Sequence, residues 1–165
     1  DAGNILAQRT YPIHPDDTMR ELIQRAAEGV GDTISEAVTR AGEGDPGRPQ
    51  GRLGSYFPRK PDGDEIVDWN EPSQLLLDKI RARRPGPGNV TYIGDRRVVI
   101  WKASKSDVPA YRGAAGQVIA RTPGGVLVKT GDSAILIEEI QFDGEAVSVP
   151  RLPVGAGFLA NCRQG

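Results

Sequence analysis

The sequence lacks the features of disulfide-rich, membrane-spanning and metal-binding proteins. Cys162 is the only cysteine among 165 residues, so no internal disulfide can form, as is usual in a reducing compartment. No apolar run approaches the roughly 20 residues that span a membrane. One histidine, His14, and one cysteine provide no cluster of metal ligands. We therefore expect a cytoplasmic globular protein that contacts no membrane and holds no metal.

The start of the sequence lacks two further features. Asp1 stands where a natural chain has an initiating methionine, and no signal peptide with a basic start and an apolar core follows it. Residues 4–11 have strand-forming character, and Pro12 ends this run because proline cannot donate to a sheet ladder. A polar turn and a long helical pattern come next. This order predicts that the chain opens in the middle of an α/β unit.

Charge is nearly balanced overall but unevenly distributed. The formal net charge is −1, yet residues 1–78 carry 8 basic and 15 acidic side chains, whereas residues 79–112 carry 9 basic and 2 acidic. The basic block suits a phosphate-bearing ligand. It equally suits a solvated helix end and an exposed sheet face, because such surfaces collect lysine and arginine.

A capping box predicts the first helix. Thr18 and Glu21 have the spacing in which each side chain caps the other's backbone N–H, and Gly42 and Gly44 provide an end signal. The pattern predicts a helix over about 18–42 with one buried stripe. The stripe consists of Met19, Leu22, Ile23, Ala26, Val30, Ile34, Ala37, Val38 and Ala41.

Two further regions complete the predicted organisation. Residues 45–88 read as a linker rich in glycine and proline, followed by a bridging helix that begins near Pro72. Residues 89–165 contain six short β-rich runs separated by turn residues, which predicts a small closed or partly closed barrel with an irregular surface tail from Pro150. The runs are 90–93, 97–101, 117–120, 126–129, 134–137 and 146–149.

Several motifs in this order resemble the folate-dependent formyltransferases, a family that includes methionyl-tRNA formyltransferases and amino-sugar N-formyltransferases. Residues 1–8 are similar to the family's D-x-G-x-I-L-x-Q segment. The other matching stretches are Pro12-Ile13 with Asp17-Thr18 and Leu22, Pro49-Gln50, Tyr56-Phe57-Pro58-Arg59, Ile66-Val67-Asp68-Trp69, and Ile80-Arg81-Ala82 with Pro85-Gly86-Pro87-Gly88.

The resemblance implies a two-part architecture. Residues 1–44 would be the C-terminal end of a Rossmann-like catalytic domain, and residues 89–165 an open, OB-like barrel joined to it by the linker and helix of 45–88. In the family an Asn, a His and an Asp form the catalytic set, and Asp1 falls on the Asp. The segment that carries the Asn and His has no counterpart here, and His14 lies in a different context. The chain thus resembles the C-terminal portion of a formyltransferase, inactive alone.

The expected chemistry explains that catalytic set. A primary amine attacks the formyl carbon of 10-formyltetrahydrofolate, and Asn and His donate hydrogen bonds to the oxyanion that forms. Asp1 would orient the imidazole and help withdraw a proton from the amine. The donor would bind mainly to the missing N-terminal part. Without the resemblance, Asp1 is simply a frayed terminal residue.

The acceptor has two candidate classes. Tyr56, Phe57 and Arg59 are candidate substrate-binding residues, equally explained as a linker held by its aromatics. The motif around them, together with the acidic linker, favours a small amine such as an amino-sugar nucleotide over the alternative, methionyl-tRNA. A non-catalytic module binding nucleic acid or protein is a third class. Its candidate basic surface consists of Arg81, Arg83, Arg84, Arg96, Arg97 and Lys102, with only Tyr92 and Trp101 able to stack on bases.

Overall fold

The computed structural model describes residues 3–51, 54–56, 61–107 and 112–160. The chain divides into two compact units, Asp1–Lys60 and Pro61–Gly165, each of which has its own internal contacts. None of the helices in the described ranges is long and apolar enough to cross a membrane.

The first unit contains one helix, α1, Met19–Gly42. The predicted capping box is confirmed, since Thr18 Oγ1 accepts from the backbone of Arg20 at 3.2 Å and Glu21 accepts from the backbone of Thr18 at 2.9 Å. A carboxylate near the helix N-terminus also suits the positive end of the macrodipole. The sequence therefore fixes the start of α1 through contacts within one turn.

The expected burial of the apolar stripe is wrong. No residue of α1 is buried. Leu22 of the stripe is half-buried, and the stripe's other large side chains are between 47% and 67% exposed. These side chains are Met19, Ile23, Val30, Ile34 and Val38. The neighbouring face instead packs on the preceding segment, for example through Arg25, whose guanidinium donates to the carbonyl of Pro12 at 2.6 Å. The described residues of this unit leave most of the stripe uncovered.

The predicted strand over residues 4–11 is also wrong. Ile5 alone forms an antiparallel bridge, and its partner is Arg48, with N···O distances of 2.8 and 3.0 Å. Pro46 and Pro49 flank Arg48 closely, and neither can donate an N–H to continue a ladder. The pairing is therefore limited to a single bridge.

The second unit is built on a five-stranded antiparallel sheet in the order β1-β2-β5-β4-β3. Five of the six predicted strands are confirmed, and β2 and β5 run longer than expected. The sixth, 146–149, contributes only a bridge between Ser148 and Ile140, and Pro150 cannot donate to extend it. The strands are β1 Asn89–Ile93, β2 Arg96–Lys105, β3 Val118–Thr122, β4 Gly125–Lys129 and β5 Ala134–Phe142.

Helix α2, Ser73–Ala82, covers the core face of this sheet. Leu76 and Ile80 of the helix join Val67, Trp69 and strand residues such as Ile137 in one buried cluster. Pro72, the residue at the N-cap position, has no side-chain oxygen to cap the helix. Asp132, in the turn between β4 and β5, supplies one instead by accepting from Ser73 N at 2.8 Å and Ser73 Oγ at 2.7 Å. A residue 59 positions away thus completes the helix start.

The strands do not close on themselves, because β1 and β3 lie at opposite edges of the sheet. The segment 155–159 joins these edges. Val118 N donates to Ala156 O at 2.8 Å, and Tyr92 and Leu159 exchange backbone hydrogen bonds of 2.9 and 2.8 Å. Phe158, between them, is only 2% exposed. The tail is irregular, as expected, but its expected surface position is wrong for this residue.

Candidate functional site

The predicted catalytic residue, Asp1, lies outside the described residues. The chain that follows it is described from Gly3 and is held by residues 46–50, hereafter the 46–50 segment. Gln50 Nε2 donates to Gly3 O at 2.6 Å, and Asn4 Nδ2 donates to Pro46 O at 2.7 Å. With the bridge at Ile5, three consecutive residues are tied to one segment. The stretch predicted to be a linker is therefore an ordered partner of the first residues.

Arg40, near the C-terminus of α1, connects this arrangement to the helix. Its guanidinium donates to Leu6 O, and its Nε lies 2.7 Å from Asp45 Oδ2. The Asp45 carboxylate also accepts from Gly47 N at 2.8 Å, and these hydrogen bonds, the one from Gly47 first, lower the pKa of Asp45. A cation in the last turn is also favoured by the helix dipole. Arg40 thus fixes the Leu6 carbonyl and the Asp45 carboxylate relative to α1.

A second ionic contact holds the turn before α1. Arg25 pairs with both oxygens of Asp17, at 2.7 and 2.9 Å, and the Asp17 side chain is 7% exposed. The backbone N–H of His14 donates to the same carboxylate at 2.7 Å. The arginine and then this N–H hold the pKa of Asp17 well below its usual range. The Asp17 carboxylate thus anchors the turn before α1 to the helix.

The candidate substrate-binding residues are only partly described. Tyr56 is 98% exposed, so its ring contributes no packing of its own. Phe57 and Arg59 lie outside the described residues, as does Cys162. Their predicted role therefore stays a prediction.

Each cation of the candidate basic surface lies beside a carboxylate. Arg96 also stacks over the Phe142 ring, 4.0 Å from its centroid, and Arg83 is 9% exposed. Burial lowers the pKa of Arg83. The pairs are Arg81–Asp78 at 3.1 Å, Arg83–Asp64 at 2.5 Å, Arg84–Glu139 at 3.6 Å, Arg96–Glu145 at 2.5 Å, Arg97–Asp143 at 2.9 Å and Lys102–Glu138 at 3.1 Å.

These pairs reduce the positive field expected of the basic block, since each neighbouring carboxylate cancels charge at short range. Several partners lie more than 40 residues away in sequence, as for Arg96 and Glu145. The two candidate stacking side chains, Tyr92 and Trp101, are half-buried, and Trp101 Nε1 donates to Gln141 Oε1 at 3.0 Å. No group of three or more potential metal ligands occurs within the described part of the chain.

Comparison with known proteins identifies the architecture of the second unit. Residues 61–151, more than half of the chain, match the family model described as "Formyl transferase, C-terminal domain". The chain belongs to the formyltransferase family. The match begins where the second unit begins, and it includes α2 and the whole five-stranded sheet.

Curated relatives extend the similarity of this formyltransferase chain beyond the sheet. The methionyl-tRNA formyltransferase of Symbiobacterium thermophilum is 35% identical over 149 residues, which are 88% of this chain and 46% of the relative. That of Geobacter sulfurreducens is 29% identical over 165 residues, 99% of this chain and 50% of the relative. The chain therefore spans about half the length of the curated relatives it matches.

A solved structure has the same fold. HypX from Aquifex aeolicus, crystallised in complex with tetrahydrofolic acid, matches 88% of this chain and 26% of its own with a TM-score of 0.62 and 22% identity. The family model and these relatives confirm the predicted family, and the relatives are methionyl-tRNA formyltransferases, as in the tRNA alternative, rather than enzymes named for a small amine.

Sequence reasoning missed the residues that hold the chain after Asp1. Composition predicts only a linker over the 46–50 segment, because glycine and proline dominate it. One signal in the sequence pointed to a role for this segment: Pro49-Gln50 is among the stretches that resemble the family. Apolar periodicity could not reveal it, because the segment has none.

Proposed function

We propose that this chain is the C-terminal part of an enzyme that transfers a formyl group from 10-formyltetrahydrofolate to the amine of methionyl-tRNA. The observation that carries the proposal is the similarity to curated methionyl-tRNA formyltransferases along 88–99% of the chain. The tetrahydrofolate complex of HypX supports a folate donor by analogy of fold.

The proposed reaction joins the amine nitrogen to the formyl carbon and breaks the bond from that carbon to N10 of the folate. The amine loses one proton and N10 gains one, so the products are a formamide and tetrahydrofolate. Asp1 would orient the catalytic imidazole and help remove the amine proton. Asn and His partners and most of the folate site would lie in the part of the relatives that this chain does not match. The chain alone would be inactive.

The exposed stripe of α1 supports the proposal that residues 1–44 complete a Rossmann-like domain. A 24-residue helix with no buried residue has no core of its own, and helices with one apolar face are stable when that face is covered. In the second unit, the joining of the sheet edges through 155–159 supports an OB-like, partly open barrel. We place the enzyme in the cytoplasm, together with its tRNA acceptor.

Transfer to a small amine such as an amino-sugar nucleotide is the second candidate. The linker motif from Tyr56 to Trp69 favours it, and so does the pairing of all six candidate surface cations with carboxylates. A surface so neutralised has less excess positive charge for a polyanionic tRNA. In this case Tyr56, Phe57 and Arg59 would contact the acceptor.

Acceptor screening of the full-length protein tests the proposal. Purified protein is supplied with radiolabelled 10-formyltetrahydrofolate and either methionyl-tRNA or a panel of amino-sugar nucleotides and free amino acids. Label in methionyl-tRNA alone is the expected result. Label only in an amino sugar would overturn the tRNA proposal in favour of the second candidate. Label in no acceptor, with a folded protein, would contradict both.

A further inference from the structure

The 46–50 segment contacts the three described residues that follow Asp1 most closely in sequence. We propose that this segment is a positioning element for Asp1, and that Gly47 and Gln50 are its principal residues. The inference rests on the proposed function, in which Asp1 is the catalytic carboxylate. It assigns a role to a stretch whose composition indicates only a linker.

Hydrogen bonds connect the 46–50 segment to three consecutive residues near Asp1 in sequence. Gly3 O accepts from Gln50 Nε2 at 2.6 Å, Asn4 Nδ2 donates to Pro46 O at 2.7 Å, and Ile5 exchanges two backbone hydrogen bonds with Arg48. Each hydrogen bond alone contributes little net stability in water. Together they restrict the backbone from Gly3, the second residue after Asp1, onward.

Gly47 makes this close approach possible. Its φ is +70°, a conformation that glycine adopts without strain. A Cβ at this position would lie 3.0 Å from Ile5 O and 3.1 Å from the Asn4 Cβ. Any other residue at 47 would therefore push residues 4 and 5 away by a few tenths of an ångström, in addition to straining its own backbone.

The segment is itself anchored. Asp45 accepts from Gly47 N and from the Arg40 guanidinium, which also donates to Leu6 O. Residues 3–6 and the 46–50 segment thus share one cation at the end of α1. A displacement at Gly47 passes to residues 3–5 because direct hydrogen bonds connect the two backbones.

Gly44 offers a matched control for Gly47. It has nearly the same φ, +76°, but nothing lies within 4 Å of a Cβ built on it. Gly47→Ala and Gly44→Ala therefore incur similar backbone strain, and only the first displaces residues 4 and 5. Since misplacing a catalytic group by about 1 Å can cost about 100-fold, we expect Gly47→Ala to lower kcat by about tenfold. Gly44→Ala should stay within about twofold of the unsubstituted protein.

The assay uses the full-length protein with its formyl donor and acceptor, and separates kcat from KM. A positioning role lowers kcat and leaves KM for both substrates unchanged, because binding groups are untouched. Each variant is also combined with Asp1→Asn, which alone should lower turnover by about 10² or more. If Gly47 acts through Asp1, Gly47→Ala causes no further loss in the Asp1→Asn background. If it merely reduces the folded fraction, the two losses multiply.

Gln50→Ala, compared with Gln24→Ala, gives an independent test. Gln24 is an exposed glutamine of α1 whose amide donates to the Glu28 side chain, one turn away on the same helix, at 3.4 Å. We expect Gln50→Ala, and not Gln24→Ala, to lower kcat severalfold with the same dependence on Asp1. In the 165-residue chain, amide hydrogen exchange at Ile5 should accelerate in Gly47→Ala and not in Gly44→Ala. Hydrogen exchange can be measured even in a variant that has lost its activity.

The outcomes separate the two proposals. Absence of formyl transfer by the unsubstituted protein, or full activity in Asp1→Asn, would refute the proposed function. Normal transfer that depends on Asp1, with kcat unchanged in both Gly47→Ala and Gln50→Ala, would refute the positioning role alone. Equal losses in Gly47→Ala and Gly44→Ala would also refute it, since backbone strain would then explain the effect.

Discussion

Phe158 links the irregular tail to the core of the second unit. Its ring is 2% exposed and lies 5.2 Å from the Trp69 ring, centroid to centroid. Around it the backbone bonds to both sheet edges, and Trp69 Nε1 donates to Thr91 Oγ1, which donates in turn to Leu159 O at 2.9 Å. If the tail is part of the fold, replacing this ring must destabilise the whole sheet.

The magnitude follows from burial. Phe→Ala in a packed core costs about 3–5 kcal/mol, and an aromatic pair contributes about 0.5–1.5 kcal/mol beyond its area. A domain of this size is stable by only about 5–15 kcal/mol. Phe158→Ala should therefore remove a large fraction of the free energy of unfolding, and lower Tm by more than about 10 °C.

Urea denaturation followed by tryptophan fluorescence measures this loss. Both tryptophans, Trp69 and Trp101, lie in the second unit, so the signal reports on the sheet. Val154→Ala is the control, because Val154 lies in the same tail and is 60% exposed. We expect that control within about 0.5 kcal/mol of the unsubstituted chain. A cost below about 1 kcal/mol for Phe158→Ala would show that the sheet is stable without its tail.

Three further predictions concern the second unit. The hydrogen bonds from Ser73 lower the pKa of Asp132 to about 2 from 3.8, so its stabilising contribution is present above about pH 4 and is lost as the pH falls through 2. Asp132→Asn should thus destabilise the chain at neutral pH, and the difference in urea midpoint should shrink at acidic pH; a constant difference would contradict the capping role. Gly131→Ala, whose Cβ would collide with the carbonyl of Asn70, should cost about 1–3 kcal/mol, whereas Gly157→Ala, with nothing within 4 Å, should cost less. Asp143→Asn releases Arg97 from its ion pair. If the basic surface binds tRNA, this substitution should tighten tRNA binding by the chain and steepen the salt dependence of binding. An unchanged filter-binding isotherm would argue against tRNA contact at Arg97.

Part of this structure depends only on neighbours in sequence. The start of α1 was predictable because Thr18 and Glu21 are three residues apart and cap each other within one turn. Five strands were predictable because β-rich runs alternate with glycine-containing turns, and the family because its motifs are linear in sequence. Asp1 as a candidate residue came from the same kind of linear match.

The remaining features required tertiary structure, because their partners are distant in sequence. The sequence predicted an apolar stripe on α1, but burial depends on what covers a helix, and within the described residues most of its large side chains are exposed. Arg97 meets Asp143 across 46 residues, and Gln50 reaches Gly3 across 47. Hydrophobic periodicity says which side of an element is apolar, and composition says where turns occur. Neither specifies which charges pair, or that a stretch with the composition of a linker holds residues 3–5.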